Sequence, residues 1–237
     1  MKLVNCFFLL WFFNCLSQSN NSGIGMNYMP DNIKQNTIFI GVDDRFPTFL
    51  NNKENKEKKI SGTIFFSENN SKLIVFLKNK KKYHFDNGNY NVKTNDFVVS
   101  IENDSLFIFD TKNVDYFRFK GEKFKKYFYK DGVKRFFSVL TEKNNKNILL
   151  KGYFIKIQPG QINSLTKVKL TNDKYSIKYK YYLKKGDDIK EIKLKKREIL
   201  KALNKKREKI INYVDKKDLS FKKEKDVIKI FNYYNSI

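Results

Sequence analysis

Residues 114–142 read VDYFRFKGEKFKKYFYKDGVKRFFSVLTE and contain three short runs rich in aromatic and β-branched residues. Such runs, bounded by Gly, Asp or Asn, are typical of β-strands. Asp131-Gly132 separates the second run from the third, and this dipeptide favours the tight turn of a β-hairpin. The runs lie too close together for crossover helices, so the stretch predicts consecutive antiparallel strands.

The same pattern extends over residues 62–192, where further strand-like runs alternate with turn residues. The additional turn signals are Asp86-Asn87-Gly88, Asn103-Asp104 and Lys185-Gly186-Asp187-Asp188. This spacing predicts a mainly antiparallel β domain, a meander or roll or else a sandwich, and not βαβ units. Residues 105–110 (SLFIFD) do not alternate and predict a strand buried on both faces. Residues 175–183 (YSIKYKYYL) alternate and predict one solvated face.

The period changes at residue 193, and residues 194–237 contain neither glycine nor proline. Apolar residues now recur at helical spacing. They are Ile199, Leu200, Leu203, Ile210, Ile211 and Val214, followed by Val227, Ile228, Phe231 and Tyr234. Two or three amphipathic helices are predicted, with Asn204 capping the second and Ser220 capping the last. The fold class is therefore α+β.

The opposite faces of these helices are rich in lysine, which leaves two interpretations. The helices pack on the β domain with their lysines in solvent, or they bind a membrane surface or a polyanion. Acidic residues interrupt the positive faces and favour packing on the β domain. They are Glu198, Glu208, Glu224 and Asp226.

Residues 1–17 have the pattern of a secretory signal peptide. Lys2 precedes an apolar run at residues 3–13, and Cys15 and Ser17 supply the small residues of a cleavage site. The run is shorter than the roughly 20 residues of a spanning helix. We expect cleavage after Ser17 and export. The alternatives are an uncleaved anchor and a lipoprotein acylated at Cys15, against which Asn14 counts.

Cleavage would remove both cysteines, Cys6 and Cys15. The exported chain would then lack disulfides, thiolate nucleophiles and cysteine-ligated metals. A polar, flexible lead is predicted at 18–35, the β domain at 36–192 and the helical segment at 193–237. About 220 residues suffice for one sizeable core.

The formal net charge of +24 raises the question of a polyanionic partner. The excess is almost all lysine, and Lys, Asn, Ile, Phe and Tyr share AT-rich codons, so base composition explains much of it. Specific recognition of phosphates and bases favours arginine. The chain has only Arg45, Arg118, Arg135, Arg197 and Arg207. This composition argues against a nucleic-acid partner.

Few residues are candidates for chemistry. His84 is the single histidine, and its neighbours in KKYHFDNG indicate an ordinary residue at a strand end and not a member of a catalytic triad. Asp43-Asp44 and Asp187-Asp188 are the adjacent carboxylates that a glycan hydrolase could use, but they are interpreted as a solvated corner and a turn. Tyr179, Tyr181 and Tyr182 are candidates for stacking on sugars. We expect no catalytic, cofactor-binding or metal site.

Three stretches carry a resemblance to a known family: YNVKTNDFVVSIENDSLFIFD (90–110), FFSVL (136–140) and the helical segment from residue 197 to 237. With the order signal peptide, β-rich body and lysine-rich tail, the chain resembles a family of uncharacterised secreted β-rich proteins from Bacteroidota. The resemblance spans most of the chain after residue 17. It implies an exported or envelope location, and it implies no activity and no catalytic residue.

Together these patterns favour a non-enzymatic binding or structural module of the cell envelope, with an envelope protein or a glycan as its partner. One alternative is a protein that binds a polyanion or a membrane surface through its lysine-rich tail. The other is a carboxylate-dependent glycan hydrolase.

Overall fold

The structure is a computed structural model and describes residues 60–101, 106–130, 132–141 and 147–237. Several sequence predictions concern residues outside these ranges and stay predictions. They are the signal peptide at 1–17, the lead at 18–35, the start of the β domain at 36–59 with Asp43-Asp44, and the turn at Asn103-Asp104.

In the described residues, ten strands form a single antiparallel sheet. They are β1 (Ser71–Leu77), β2 (Lys82–Asn91), β3 (Asp96–Ser100), β4 (Leu106–Ile108), β5 (Val114–Phe119), β6 (Glu122–Phe128), β7 (Lys134–Val139), β8 (Ile148–Gln158), β9 (Lys174–Lys185) and β10 (Asp188–Ile192). Their order is β10-β9-β8-β7-β6-β5-β1-β2-β3-β4. The predicted hairpin at Gly132 joins β6 to β7, and Gly186 joins β9 to β10.

The sheet curls so strongly that strands distant in its order touch. The rings of Phe97 on β3 and Phe117 on β5 stack with centroids 4.3 Å apart, although β1 and β2 lie between these strands. In a flat sheet three strand spacings would separate them by about 14 Å. The concave face encloses an aromatic core that also contains Leu73, Val75, Tyr90, Phe119, Phe124 and Phe136. The α+β prediction is confirmed, with one curled sheet where a sandwich would need two.

Residues 60–70, which we call the strap, cross from β9 to β2. Ser61 O accepts a hydrogen bond from Tyr175 N–H on β9 (2.9 Å), and Phe66 N–H donates to Tyr90 O on β2 (2.8 Å). The Phe66 ring packs edge-on against Tyr153 on β8, 4.8 Å between centroids. The run GTIFFSE was expected to be a strand, but it forms only isolated bridges because it crosses between two strands and follows neither.

Three helices follow the sheet: α1 (Lys196–Ala202), α2 (Arg207–Lys216), preceded by a 3₁₀ turn (Asn204–Lys206), and α3 (Glu224–Ser236). Their apolar sides form one core with Leu149, Leu183 and Ile192 of the sheet. Fully buried residues of the helical segment in this core include Ile199, Leu203, Ile210, Val227, Ile230 and Phe231. The tail thus packs on β8–β10, and its apolar side is occupied.

The two expected helix caps are wrong. Lys206 and Lys223 occupy the N-cap positions of α2 and α3, and neither makes a side-chain cap hydrogen bond. Asn204 instead begins the 3₁₀ turn. Ser220 lies four residues before α3, where its N–H donates to Asp226 Oδ2 (3.1 Å). The first turn of α3 is therefore tied back to Ser220 by an acidic side chain and not by a capping hydroxyl.

Two strand predictions also need correction. Asp86-Asn87-Gly88 lies inside β2, where the register with β1 shifts between Ser71 and Leu73. A Cβ on Gly88 would collide with Leu73, so the glycine serves a β-bulge and not a turn. The run SLFIFD supplies β4, the edge strand of the sheet, and its strand residues are only half-buried.

Candidate functional site

The sheet splits between β7 and β8. These strands pair only at Ser138–Lys151 and Val139–Leu150, whereas β8 and β9 stay paired from Ile148 to Gln158. Beyond Ser138 and Lys151 the two strands diverge. We call the resulting gap the notch, and it is a cavity of about 760 Å³. This volume lies within the range of about 300–1,000 Å³ that is usual for ligand sites.

One wall of the notch is an unpaired strand edge. Leu140 N–H donates to Leu149 O (2.9 Å), and Ser138 pairs with Lys151. Because backbone groups alternate between the two edges of a strand, the odd-numbered residues of β8 direct theirs toward β7. Past Lys151 these are Tyr153, Ile155 and Ile157. Within the described ranges, their notch-facing backbone groups have no hydrogen-bond partner.

Asn95, in the turn between β2 and β3, holds the opposite wall apart from β8. Its Oδ1 accepts a hydrogen bond from Phe136 N–H on β7 (2.7 Å), and its Nδ2 donates to the Tyr90 hydroxyl (2.7 Å). Asn95 has φ 64°, a left-handed conformation that Asn adopts more readily than most residues. The Asn95 side chain thus accepts the hydrogen bond from Phe136 N–H that a backbone carbonyl of β8 would otherwise accept, and the notch stays open.

Cations dominate the polar lining. Among the described lining residues, the cations are Lys93, Lys126, Lys134, Arg135 and Lys180, and the single carboxylate is Asp96. Lys180 pairs with Glu191 at 2.8 Å, which neutralises it. Lys93 and Lys134 instead lie over the rings of Tyr175 and Phe128, at 5.8 and 4.6 Å from the centroids. The notch therefore favours an anionic ligand.

Asp96 and Lys126 both line the notch and are both partly buried. Burial raises the pKa of Asp96, against the opposing effects of a Thr94 hydrogen bond and the positive charge of Lys126. Burial likewise lowers the pKa of Lys126, although Asp96 acts to raise it. For both residues, the favourable contacts of the charged form do not fully offset the cost of burying the charge. A second anion near Lys126 would compete with Asp96 for it.

Aromatic side chains cover the outer face of the sheet beside the notch. A Cβ on Gly152 would lie 2.8 Å from Tyr182 Cε2 and 3.1 Å from Phe137 Cδ1, so this glycine lets both rings lie over β8. The two ring centroids are 5.1 Å apart. Burial is the main reason that the pKa of Tyr182 is raised, with Tyr129 and Glu191 adding to it. Its hydroxyl therefore stays protonated and can donate.

The sequence-derived candidates do not come together in the notch. His84 is an exposed residue within β2, so it is a strand residue but not at a strand end. Asp187 lies in the β9–β10 turn, as expected, whereas Asp188 is the first residue of β10 and pairs with Lys190 at 2.6 Å. Asp43-Asp44 lies outside the described residues.

The three tyrosines of β9 do not form one platform. Tyr182 lines the notch. Tyr181, on the opposite face, donates to Glu224 Oε2 (2.6 Å). Tyr179 lies beside Tyr181 and its ring is 4.4 Å from Lys151 Nζ. Consecutive residues of a strand point to opposite faces, so Tyr181 and Tyr182 cannot stack on the same sugar.

Sequence reasoning missed Asn95, Asp96, Lys126 and Gly152. KTND, at residues 93–96, lies between two strand runs and carries the composition of a turn. That signal could have located the turn. The proximity of this turn to β7 arises only from the curl of the sheet.

None of the helices that the structure describes combines the length and apolar character needed to cross a bilayer. Within the same ranges, no group of three or more His, Cys, Asp or Glu side chains is placed to hold a metal ion.

Comparison with known proteins adds no assignment. No protein-family model matches this chain, no curated protein matches it, and no solved structure matches it. The resemblance to secreted Bacteroidota proteins stays a prediction.

Proposed function

We propose that this protein is an exported, non-enzymatic binding module that holds an acidic, extended peptide segment in the notch. The segment adds as a strand to the free edge of β8. The observation that carries this proposal is an unpaired strand edge facing a cationic cavity.

Backbone pairing supplies the affinity in this mode of recognition. Tyr153, Ile155 and Ile157 present alternate N–H and C=O groups over a stretch of five residues. A partner strand would rise about 3.4 Å per residue along them. Strand addition to an exposed sheet edge is a common way of binding extended peptides, with side-chain pockets giving specificity. The Asn95–Phe136 hydrogen bond limits pairing with the β7 wall, so β8 is the edge that receives the segment.

The charge of the lining selects for acidic residues in the segment. Lys93, Lys134 and Arg135 border the notch, and Lys126 lies deeper, near Asp96. Carboxylates on one face of an added strand would lie within reach of these cations. Charge complementarity of this kind speeds association and sets specificity more than it adds affinity.

The test uses a fluorescein-labelled hexapeptide of alternating Glu and Val, measured by fluorescence anisotropy. Two further versions carry backbone N-methyl groups on the Glu residues or on the Val residues, so each blocks one edge of the peptide strand. One version should bind at least about tenfold more weakly, since each lost hydrogen bond is worth about 1 kcal/mol. The other should bind like the parent. Equal binding of all three peptides would refute strand addition.

Variants of the notch test the charge argument with the unmethylated peptide. Lys134→Gln combined with Arg135→Gln should weaken binding about tenfold, since each exposed ion pair contributes up to about 1 kcal/mol. Asp96→Asn should strengthen binding, because Lys126 would no longer be shared. Lys229→Gln, on the exposed side of α3, is the matched control and should bind normally. A peptide of alternating Lys and Val that binds as tightly would contradict the proposal.

A further inference from the structure

The connection between β8 and β9 carries the densest exposed apolar surface of the described chain. We call residues 157–173 the arm. Five of the nine large apolar side chains that are exposed among the described residues lie on it. Leu165 is 92% exposed, and Leu170, Val168 and Ile162 are 61%, 60% and 58% exposed. The fifth, Ile157, marks the base of the arm, where it also lines the notch.

The arm has a defined shape. Asn163 Oδ1 accepts hydrogen bonds from Leu165 N–H (2.9 Å) and Thr166 N–H (3.0 Å). Asn163 N–H donates to Val168 O (2.9 Å), and Leu170 N–H donates to Gln161 O (2.8 Å). The backbone groups of the tip are therefore largely satisfied within the arm itself. Such a turn can enter a low-dielectric medium at less cost than an open loop.

Lysines surround these apolar side chains. The arm with one flanking residue at each end, residues 156–174, contains Lys156, Lys167, Lys169 and Lys174 and one acidic residue, Asp173, for a net charge of +3. Asp173 Oδ1 is engaged by Lys169 Nζ (2.6 Å) and by Gly160 N–H (2.8 Å). The arm thus presents an apolar tip within a positive collar.

We propose that the arm is a membrane-contact site: its apolar tip enters the surface of a bilayer while its lysines meet anionic lipid headgroups. An exposed tip fits this occupant, because Leu165, Val168 and Leu170 already present their apolar side chains to the surroundings. Apolar groups combined with lysines are the usual composition of elements that lie at a membrane interface. Each lysine near an anionic surface adds about a fivefold increase in binding.

From the sequence, binding to a membrane surface was an alternative function of the lysine-rich tail. We assign this function to the arm instead. The apolar sides of α1–α3 are buried against the sheet, with Ile199, Leu203 and Phe231 fully inaccessible. A helix that lies at a membrane interface needs an exposed apolar face, and the apolar faces of these helices are buried in the core. The arm does not depend on the notch, and its apolar tip lies outside the lining of the notch.

The test uses the chain from Gln18 to Ile237, which keeps every residue whose contacts are described and excludes the apolar run at 3–13. Trp11 is the single tryptophan of the full chain, so Leu165→Trp gives this form one fluorescent reporter at the tip. Vesicles of phosphatidylcholine with about one third phosphatidylglycerol should shift its emission to the blue. Ile237→Trp, an exposed apolar site outside the arm, should show no shift. Unchanged Leu165→Trp emission would overturn the proposal.

Sedimentation with the same vesicles measures the partition coefficient without a reporter. Leu165→Asn with Val168→Asn should lower partitioning at least tenfold, and Lys156→Gln with Lys167→Gln should remove most of the preference for anionic over pure phosphatidylcholine vesicles. Unaltered partitioning in both double variants would refute the assignment. Suppose that the parent protein does not bind vesicles but self-associates in light scattering, and that the Leu165→Asn and Val168→Asn double variant does not self-associate. The arm would then be assigned to a protein contact instead. The hexapeptide affinity of the notch should be unchanged by Leu165→Asn with Val168→Asn, since both residues lie outside the lining of the notch, so the two proposals fail separately.

Discussion

At the scale of single residues, Asn95 keeps the notch open and Gly152 shapes the sheet face beside it. Asn95 accepts the Phe136 N–H that β8 would otherwise take, and its left-handed φ of 64° suits an asparagine. Gly152 leaves room for Phe137 and Tyr182 above β8. Neither residue is apolar, so neither contributes to the periodicity from which strands are inferred.

Glu224 joins the helical segment to the sheet by charge. Its Oε2 accepts hydrogen bonds from Lys151 Nζ (2.8 Å) and from the Tyr181 hydroxyl (2.6 Å). Burial acts to raise the pKa of Glu224, but the two hydrogen bonds and the charge of Lys151 outweigh it, so the pKa is lowered. The same carboxylate raises the pKa of Tyr181, to which burial contributes most.

Glu224→Gln is expected to lower the free energy of unfolding at pH 7 by about 1 kcal/mol, since solvent partly screens this pair. A carboxylate whose pKa is lowered by folding stabilises the protein above its unfolded-state pKa. The stabilisation is lost as the pH falls below about 4.3 and through the lower folded-state value. Urea unfolding of both proteins from pH 7 to pH 3 measures this. A difference that persists at pH 3 would mean that the carboxylate charge is not its source.

At the scale of secondary-structure elements, the tail is an integral part of the core. Short helices are marginal in water, and tertiary packing supplies most of their stability. Here α2 and α3 pack together through Tyr213 and Tyr233, whose stacked rings lie 4.0 Å apart, and both contribute to the core over β8–β10. The lysines therefore lie on the solvent side of helices whose apolar residues are buried.

Phe231→Ala should lower the free energy of unfolding by about 3 kcal/mol, because it removes a fully buried ring and leaves a cavity. Urea denaturation followed by circular dichroism measures the change. Lys229→Ala on the exposed side of α3 is the control, and its effect should stay within about 0.5 kcal/mol. A Phe231→Ala protein as stable as its parent would mean that α3 does not stabilise the sheet in solution.

At the scale of the whole molecule, the two proposed binding surfaces adjoin. Ile157 and Tyr175, at the base of the arm, also line the notch. The arm is continuous with β8 and β9, which are paired along their full length. A segment bound in the notch would therefore be held near the bilayer surface that the arm contacts. This arrangement suits a module that captures a protein at a membrane.

Export is the prediction that belongs to the whole chain. The protein recovered from cells should begin at Gln18 and carry no lipid, because the apolar run ends at Cys15 and Ser17 in the pattern of a cleavage site. Intact-mass spectrometry measures both features. Retained Met1, or a diacylglyceryl group on Cys15, would replace export with membrane anchoring through the N-terminus.

The sequence by itself determined the fold class. Alternation of apolar residues gave the strands and hairpins from β1 onward, and the change of period at residue 193 gave the helices, because both patterns are local. Local patterns failed where tertiary contacts decide the outcome. Asp86-Asn87-Gly88 became a bulge because Leu73 crosses it, and SLFIFD became an edge strand because β5 pairs with β1 and not with β4.

The tertiary structure alone decided the candidate sites. The notch requires Asn95 to meet Phe136, 41 residues away along the chain, and this contact depends on the curl of the whole sheet. The sequence could predict that the arm is a loop, but not that its apolar residues are exposed, because exposure depends on which surfaces the rest of the chain covers. The curvature of the sheet and the burial of each side chain depend on many contacts between residues far apart in the sequence. A local sequence pattern does not contain that information.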